Sequence, residues 1–204
     1  MIRCLLSMLC LLTVSCGSSS SPTSPRLDGA FADGQWRVGV DILPGRYYVN
    51  SSGDPCIWTR LRGTSGAPED FIAGESLFFR THQWIVDVLP TDAVFESSGC
   101  GSFDRVVRFS PQFPESIPVG AYLVGSQVQP GTYRTTSVIG CRWARVRSFT
   151  GQAVDTIQGG FVSPFSITPP PSELIVTIEA SDVGFKTYRD CGTWQRVSQE
   201  QHQT

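Results

Sequence analysis

The chain is poor in charge. Asp, Glu, Lys and Arg make up only 17% of its 204 residues, and Lys186 is the sole lysine. The formal net charge is −2, so the concentrated basic footprint of a nucleic-acid binder is missing. Histidine is nearly absent: the two are His82 and His202, and His202 sits in a polar tail. A Ser-His-Asp site would have to use His82, and no G-x-S-x-G elbow presents a serine. No C-x-x-C pair occurs, which argues against a thiolate metal site. No Gly-rich phosphate loop opens a helix. The expectation is therefore a chain with no cofactor, no metal and no nucleic-acid partner. No apolar run reaches the ~20 residues of a membrane-spanning helix. Hydrophobic residues still form 40% of the chain, enough for a buried core.

The N-terminus carries the first positive signal. Arg3 precedes an apolar run over 4–14 that only Ser7 and Thr13 interrupt. A short charged region followed by a short apolar one is the layout of a secretory signal peptide, here 1–15. The segment Leu12-Thr13-Val14-Ser15-Cys16-Gly17 resembles the lipobox of bacterial lipoproteins, with Thr13 where that family usually has Leu. The resemblance implies acylation of Cys16 and a membrane partner held through that lipid. Gly17 is not the Asp that retains lipoproteins in an inner membrane. That implies the outer membrane in a double-membraned cell and the outside face of the plasma membrane in a single-membraned one. Residues 16–32 then read as the lipidated cysteine and a Ser/Pro-rich tether, because 17–25 has nothing apolar to bury.

Four cysteines remain in the mature chain: Cys56, Cys100, Cys141 and Cys191. An even number in an exported protein suggests disulfides, and an internal repeat selects the pairing. Val38-Gly39-Val40-Asp41-Ile42-Leu43-Pro44-Gly45-Arg46-Tyr47 is echoed by Val124-Gly125-Ser126-Gln127-Val128-Gln129-Pro130-Gly131-Thr132-Tyr133. Cys56-Ile57-Trp58-Thr59-Arg60-Leu61-Arg62 is echoed by Cys141-Arg142-Trp143-Ala144-Arg145-Val146-Arg147. Ser65-Gly66, Asp92-Ala93-Val94-Phe95 and Cys100-Gly101 return as Thr150-Gly151, Asp182-Val183-Gly184-Phe185 and Cys191-Gly192. Each copy holds one early and one late cysteine, so the simplest pairing is Cys56–Cys100 and Cys141–Cys191. Short runs rich in Val, Ile, Tyr, Trp and Thr, punctuated by Gly and Pro, predict strands. Pro44-Gly45 and Pro130-Gly131 read as type II turns. The fold class expected is all-β: two tandem, related small β-sandwich or barrel-like units with one disulfide each. Unit one is placed at 33–112 and unit two at 113–197, followed by a polar tail over 198–204 expected to be disordered.

The pattern W-x-V-G-x-D-I-x-P-G-x-Y, then C-x-W-x-R-L, S-G, D-x-x-F and C-G-x-W, resembles a β-rich module of exported actinobacterial and other bacterial proteins. Two copies would cover about 33–104 and 118–195. Phe103 stands where the final Trp is expected in unit one, and Tyr122 near the opening Trp position of unit two; both keep an aromatic. The resemblance implies a secreted domain and brings no established activity.

The most suggestive constellation is Cys-x-Trp-x-Arg-x-Arg. Alternate strand residues share a face, so Trp58, Arg60 and Arg62 would project together, as would Trp143, Arg145 and Arg147. An aromatic ring beside guanidinium groups suits a sugar, a carboxylate or an anionic glycan. The structural alternative has each Trp packing over a disulfide while Arg60 and Arg145 pair with Asp92 and Asp182. Glu69, Asp70, Glu75, Asp87, Asp92 and Asp104 offer an acid/base pair for glycoside hydrolysis only if two of them face each other across a cleft. The expected function is a lipid-anchored extracytoplasmic binding or interaction module without catalysis. Its ligand would be an envelope glycan, an anionic molecule or an envelope protein, with avidity from the tandem copies. A hydrolase acting on envelope or extracellular polymers is the alternative.

Overall fold

The computed structural model describes residues 29–49, 55–77, 83–106, 111 and 113–197. Cys16, His82 and the 198–204 tail lie outside the described residues. The described chain is all-β, in two halves. Unit one holds β1 (Phe31–Arg37), β2 (Gly45–Val49), β3 (Cys56–Leu61), β4 (Phe71–Leu77), β5 (Trp84–Val88) and β6 (Val94–Arg105). The first strand therefore begins at Phe31, two residues before the boundary expected at 33. These strands form one sheet in the order β4-β3-β6-β2-β5, with β1 also on β6.

The curl of that sheet comes from β6. Its first part pairs with β3 and its last residues pair with β2. Between them Gly99 and Gly101 take φ of +71° and +86°, a region open to glycine at little cost. Cys100 sits at this bend and is bonded to Cys56.

Unit two follows the same path with more breaks. Its strands are β7 (Ser116–Ile117), β8 (Gly120–Leu123), β9 (Gly131–Thr135), β10 (Arg142–Val146), β11 (Thr156–Phe161), β12 (Leu174–Ile178), β13 (Gly184–Thr187) and β14 (Trp194–Arg196). They form two sheets, β11-β10-β13-β8 and β12-β9-β14-β7. A 3₁₀ turn at Arg189–Cys191 splits the counterpart of β6 into β13 and β14. The partner of that strand is split likewise, into β7 and β8. One curled sheet thus becomes a small sandwich, closed by Cys141–Cys191.

The repeated V-G motif forms a tight loop in both copies. Gly39 and Gly125 have φ of +79° and +77°, and isolated bridges join Val38 to Ile42 and Val124 to Val128. In unit one Asp41 Oδ2 accepts from the Arg37 N–H at 2.9 Å. In unit two Gln127 Oε1 accepts from the Leu123 N–H at 3.0 Å. A carboxylate and an amide thus cap the same turn. The Pro-Gly pairs do not make the expected type II turns. Gly45 has no positive φ and Gly131 sits at +149°, far from the roughly +80° that such a turn needs. The chain loops at Gly39 and Gly125 and then continues in the same sense, since β1 and β2 both run antiparallel to β6, and Gly45 and Gly131 open β2 and β9. The Tyr of each motif closes the corner: Tyr47 Oη donates to Leu43 O at 2.6 Å and Tyr133 Oη to Gln129 O at 3.0 Å.

Arg37 also grips Asp41 through its guanidinium, at 2.8 and 2.9 Å. The side-chain hydrogen bond from Arg37 is the main reason the Asp41 carboxyl is lowered to about 2. Its stabilising contribution is present above the ordinary carboxylate range and is lost as pH falls through about 2. The pair lies on the surface, where solvent screens it, so that contribution is small. A carboxyl-carbon NMR titration should place the Asp41 midpoint near 2, and Arg37→Ala should return it toward the ordinary value of 3.8. An unchanged midpoint in Arg37→Ala would contradict this.

The two units share a core. The larger apolar cluster joins Trp58, Trp84, Phe95 and Phe103 of unit one to Ala121, Leu123, Val146 and Phe149 of unit two. Polar contacts stitch the same seam. Phe149 N–H donates to Asp87 Oδ2 at 2.9 Å, and Asp87 N–H donates back to Phe149 O at 2.9 Å. Ala121 N–H donates to Gln83 O at 3.1 Å. A Cβ on Gly151 would lie 2.6 Å from the Trp58 ring, so the second copy of the S-G motif leaves room for the first copy's Trp.

Candidate functional site

Of the two readings of the Trp/Arg set, a ligand-facing surface or Arg–Asp pairs within the fold, the structure shows the pairs. Trp58 and Arg60 are each only 1% exposed. Trp58 stacks on Phe95 at a centroid distance of 6.1 Å. Arg60 makes a bidentate pair with Asp92, both bonds at 2.7 Å, and its third nitrogen reaches Thr150 O of unit two at 2.7 Å. Asp92 also accepts from the Leu89 N–H at 2.7 Å. Unit two repeats the device with Arg145 and Asp182 at 2.7 and 3.0 Å, and Asp182 caps the Glu179 N–H. Trp143 is half-buried against Phe185 and Trp194. Only Arg62 and Arg147, past the strand ends, are exposed.

The physical reason is charge cancellation. An arginine matched by a bidentate carboxylate satisfies the planar fork of its guanidinium, so the face that carries it can turn inward. The apolar Ile57 then takes the outer face, where it is exposed. Trp58 and Arg60 are thus closed to solvent, while Trp143 and Arg145 are partly exposed.

Four of the six carboxylates considered for acid/base chemistry, Asp70, Glu75, Asp87 and Asp92, hold the fold. Asp70 caps Ser65, with bonds of 2.9 Å from N–H and 2.6 Å from Oγ. Asp87 pairs with Arg46 across the β2–β5 ladder at 2.6 and 2.9 Å. Glu75 accepts from Trp84 Nε1 at 2.5 Å and ion-pairs with Lys186 of unit two.

That last cluster is one the sequence reading missed. Lys186 is only 6% exposed and lies over the Trp84 ring at 4.8 Å. Tyr188 packs edge-on against Trp84 at 5.2 Å. Burial opposes the Lys186 charge, but Glu75 and Tyr188 outweigh it and raise the ammonium above its ordinary value. Burial raises the Tyr188 phenol as well. Two signals stood in the sequence: the chain has one lysine, and Glu75 has no counterpart in unit two. In the ladders Glu75 faces Trp58, whereas Gly160 faces Trp143. The cluster locks the two units together.

Two depressions stand out on the described surface. One, of about 500 Å³, lies where Pro44, Arg46, Asp87, Leu89 and Val106 meet Leu123 of unit two. Its wall is mainly apolar and holds the Arg46–Asp87 ion pair. Arg46 is also 5.2 Å above the Phe149 ring. Unit two places Thr132 and Thr177 at the equivalent ladder position, 3.2 Å apart. The second, of about 350 Å³, is lined by Gln35, Ile57, Thr59, Glu96 and Ser98, with Trp58 and Ser97 at its edge. Trp58 Nε1 and Ser97 Oγ are buried there without a hydrogen-bond partner. An unmet buried hydroxyl costs about 1–3 kcal/mol. Ser97→Ala should therefore raise stability by about 1 kcal/mol, read as a higher urea midpoint at unchanged m. A lowered midpoint would show that Oγ has a partner. Among the described residues no group of three or more His, Cys, Asp or Glu is arranged to hold a metal ion.

Two segments, 28–104 and 112–195, match the Rv1352-like extracellular domain. The chain belongs to that family. Its two matched segments correspond to the two halves of the fold, so the family's domain is present here twice. An extracytoplasmic location follows for the folded part and agrees with its two disulfides. No curated protein and no solved structure matches the chain.

Proposed function

We propose that this protein is a non-catalytic interaction module of the extracytoplasmic face, held to a membrane by a lipid on Cys16. The observation that carries the reading is a division of labour within the repeat. The polar residues shared by both copies build the frame: the Arg–Asp pairs, the turn caps and the Tyr corners all point inward or bond their own loops. Apart from Arg62 and Arg147, the features that face solvent differ between the copies. Unit one has the Arg46–Asp87 groove, and unit two has a long uncharged loop after β11. A module that acted through two equal sites would show the reverse. Avidity from identical sites therefore gives way to one fused body with one asymmetric surface.

Metabolic labelling with an alkyne palmitate, followed by fractionation, tests the tether. The wild-type chain should carry label and stay with membranes, and Cys16→Ser should lose the label and be released. An unlabelled wild-type chain would overturn the tether. Turnover of envelope polymer by the purified chain would overturn the non-catalytic part.

A further inference from the structure

The loop between β11 and β12 exposes large apolar side chains without cover. Phe165 and Ile167 are 90% and 102% exposed. Phe161 at the loop's start and Ile139 on the adjoining turn are exposed too. The two segments are tied together: Gly140 N–H donates to Val162 O at 2.8 Å, and Val162 N–H donates to Cys141 O at 3.0 Å. Residues 156–172 contain no Asp, Glu, Lys, Arg or His. The connection is longer in unit two than in unit one. The spacing between copies is 85 residues at Asp70 and Asp155 and 90 at Ile85 and Ile175, so unit two carries five extra residues here.

Few backbone N–H groups of this loop are left to solvent. Of residues 162–171, four are prolines with no N–H to hydrate. Four more donate within the protein. Val162 does so as above, Phe165 and Ser166 donate to Ser163 Oγ and O, and Thr168 donates to Ser166 Oγ. An ordinary exposed loop leaves such groups to water. A segment that dips into a less polar layer is helped by having few unmet donors, because each unmet group is costly away from water. Apolar tips, no charge and few free N–H groups together suit a bilayer interface, where water and headgroups can still meet the carbonyls.

We propose that the tip formed by Phe165 and Ile167 inserts into the interfacial layer of the lipid bilayer. This deepens the tethered-module reading and rests on it for nearness to a membrane. A second copy is the less suited occupant. The apolar groove it could offer holds the Arg46–Asp87 pair, which an inserted phenyl ring would strip of solvent. The stretch between Cys16 and Gly29 reaches at most roughly 45 Å when fully extended, so a lipid on Cys16 would hold the folded body close to the surface.

The test uses the full chain with Phe165→Trp, reconstituted in phosphatidylethanolamine/phosphatidylglycerol vesicles containing brominated lipid. Emission is read as a difference from the parent chain. A second chain with Val154→Trp serves as the control, because Val154 is exposed but lies before the opposite end of β11. The proposal expects a blue shift and bromine quenching at position 165 and neither at 154. In the Cys16→Ser background, Phe165→Ser with Ile167→Ser should weaken vesicle partitioning on the order of 100-fold. Water-like, unquenched emission from the Phe165→Trp chain while it stays vesicle-bound overturns loop insertion and leaves the tether intact. Quenching in that variant on a chain that carries no acyl group upholds insertion and removes the tether. A lipid-free blue shift that grows with protein concentration assigns the tip to a second copy and overturns the proposal.

Discussion

Arg60→Ala should lower the stability of this protein by about 3–5 kcal/mol. The side chains of Arg60 and Asp92 are 1% and 0% exposed. Removing the guanidinium leaves a buried carboxylate with one remaining donor, the Leu89 N–H. It also strips Thr150 O of its partner across the seam between units. The equivalent change in unit two should cost less, because the Arg145 side chain is 12% exposed. Water can partly replace that guanidinium, so about 1–3 kcal/mol is expected. Urea unfolding of both variants checks the order. Equal losses, or a loss at Arg60 below about 1 kcal/mol, the level of an exposed pair, would show that the buried pair does not hold the seam.

Cys56→Ser with Cys100→Ser should cost about 4 kcal/mol, because the bond closes a loop of 44 residues in the unfolded chain. The Cys141–Cys191 bond closes 50 residues, so its removal should cost nearly the same. Domains of ordinary stability have about 5–15 kcal/mol in hand, so each loss is a large fraction. The two units share one apolar cluster and several cross-seam bonds. Each variant should therefore unfold in one transition, followed alike by fluorescence and far-ultraviolet dichroism. Separate transitions for the two halves would overturn the shared core.

Local pattern marked the strands, because β runs announce themselves by residue type and turn punctuation. Alternation was also readable. In β9 Tyr133 and Thr135 are buried and Arg134 is exposed, as a half-exposed strand should be. The direction of a face was not readable in β3. Residues 58 and 60 share one side and 57 the other, and composition favours putting Ile57 inside. The outcome turned on Asp92, which lies 32 residues away and cancels the charge of Arg60. The Pro-Gly turns failed for a related reason. Pro-Gly permits a type II turn, but no reversal is needed there, because β1 and β2 both run antiparallel to β6.

By itself the sequence determined the all-β class, the doubling of the module and the cysteine pairing. Each of these rests on residue type and on a repeat that compares the chain with itself. Only the tertiary structure decided that the halves fuse, that Trp58 and Arg60 turn inward, and that Phe165 and Ile167 are left uncovered. Those outcomes depend on contacts such as Glu75 with Lys186 and Arg60 with Thr150, which join unlike positions of the two copies. No internal symmetry marks such contacts, and burial of a charge depends on a partner that the chain brings near only by folding.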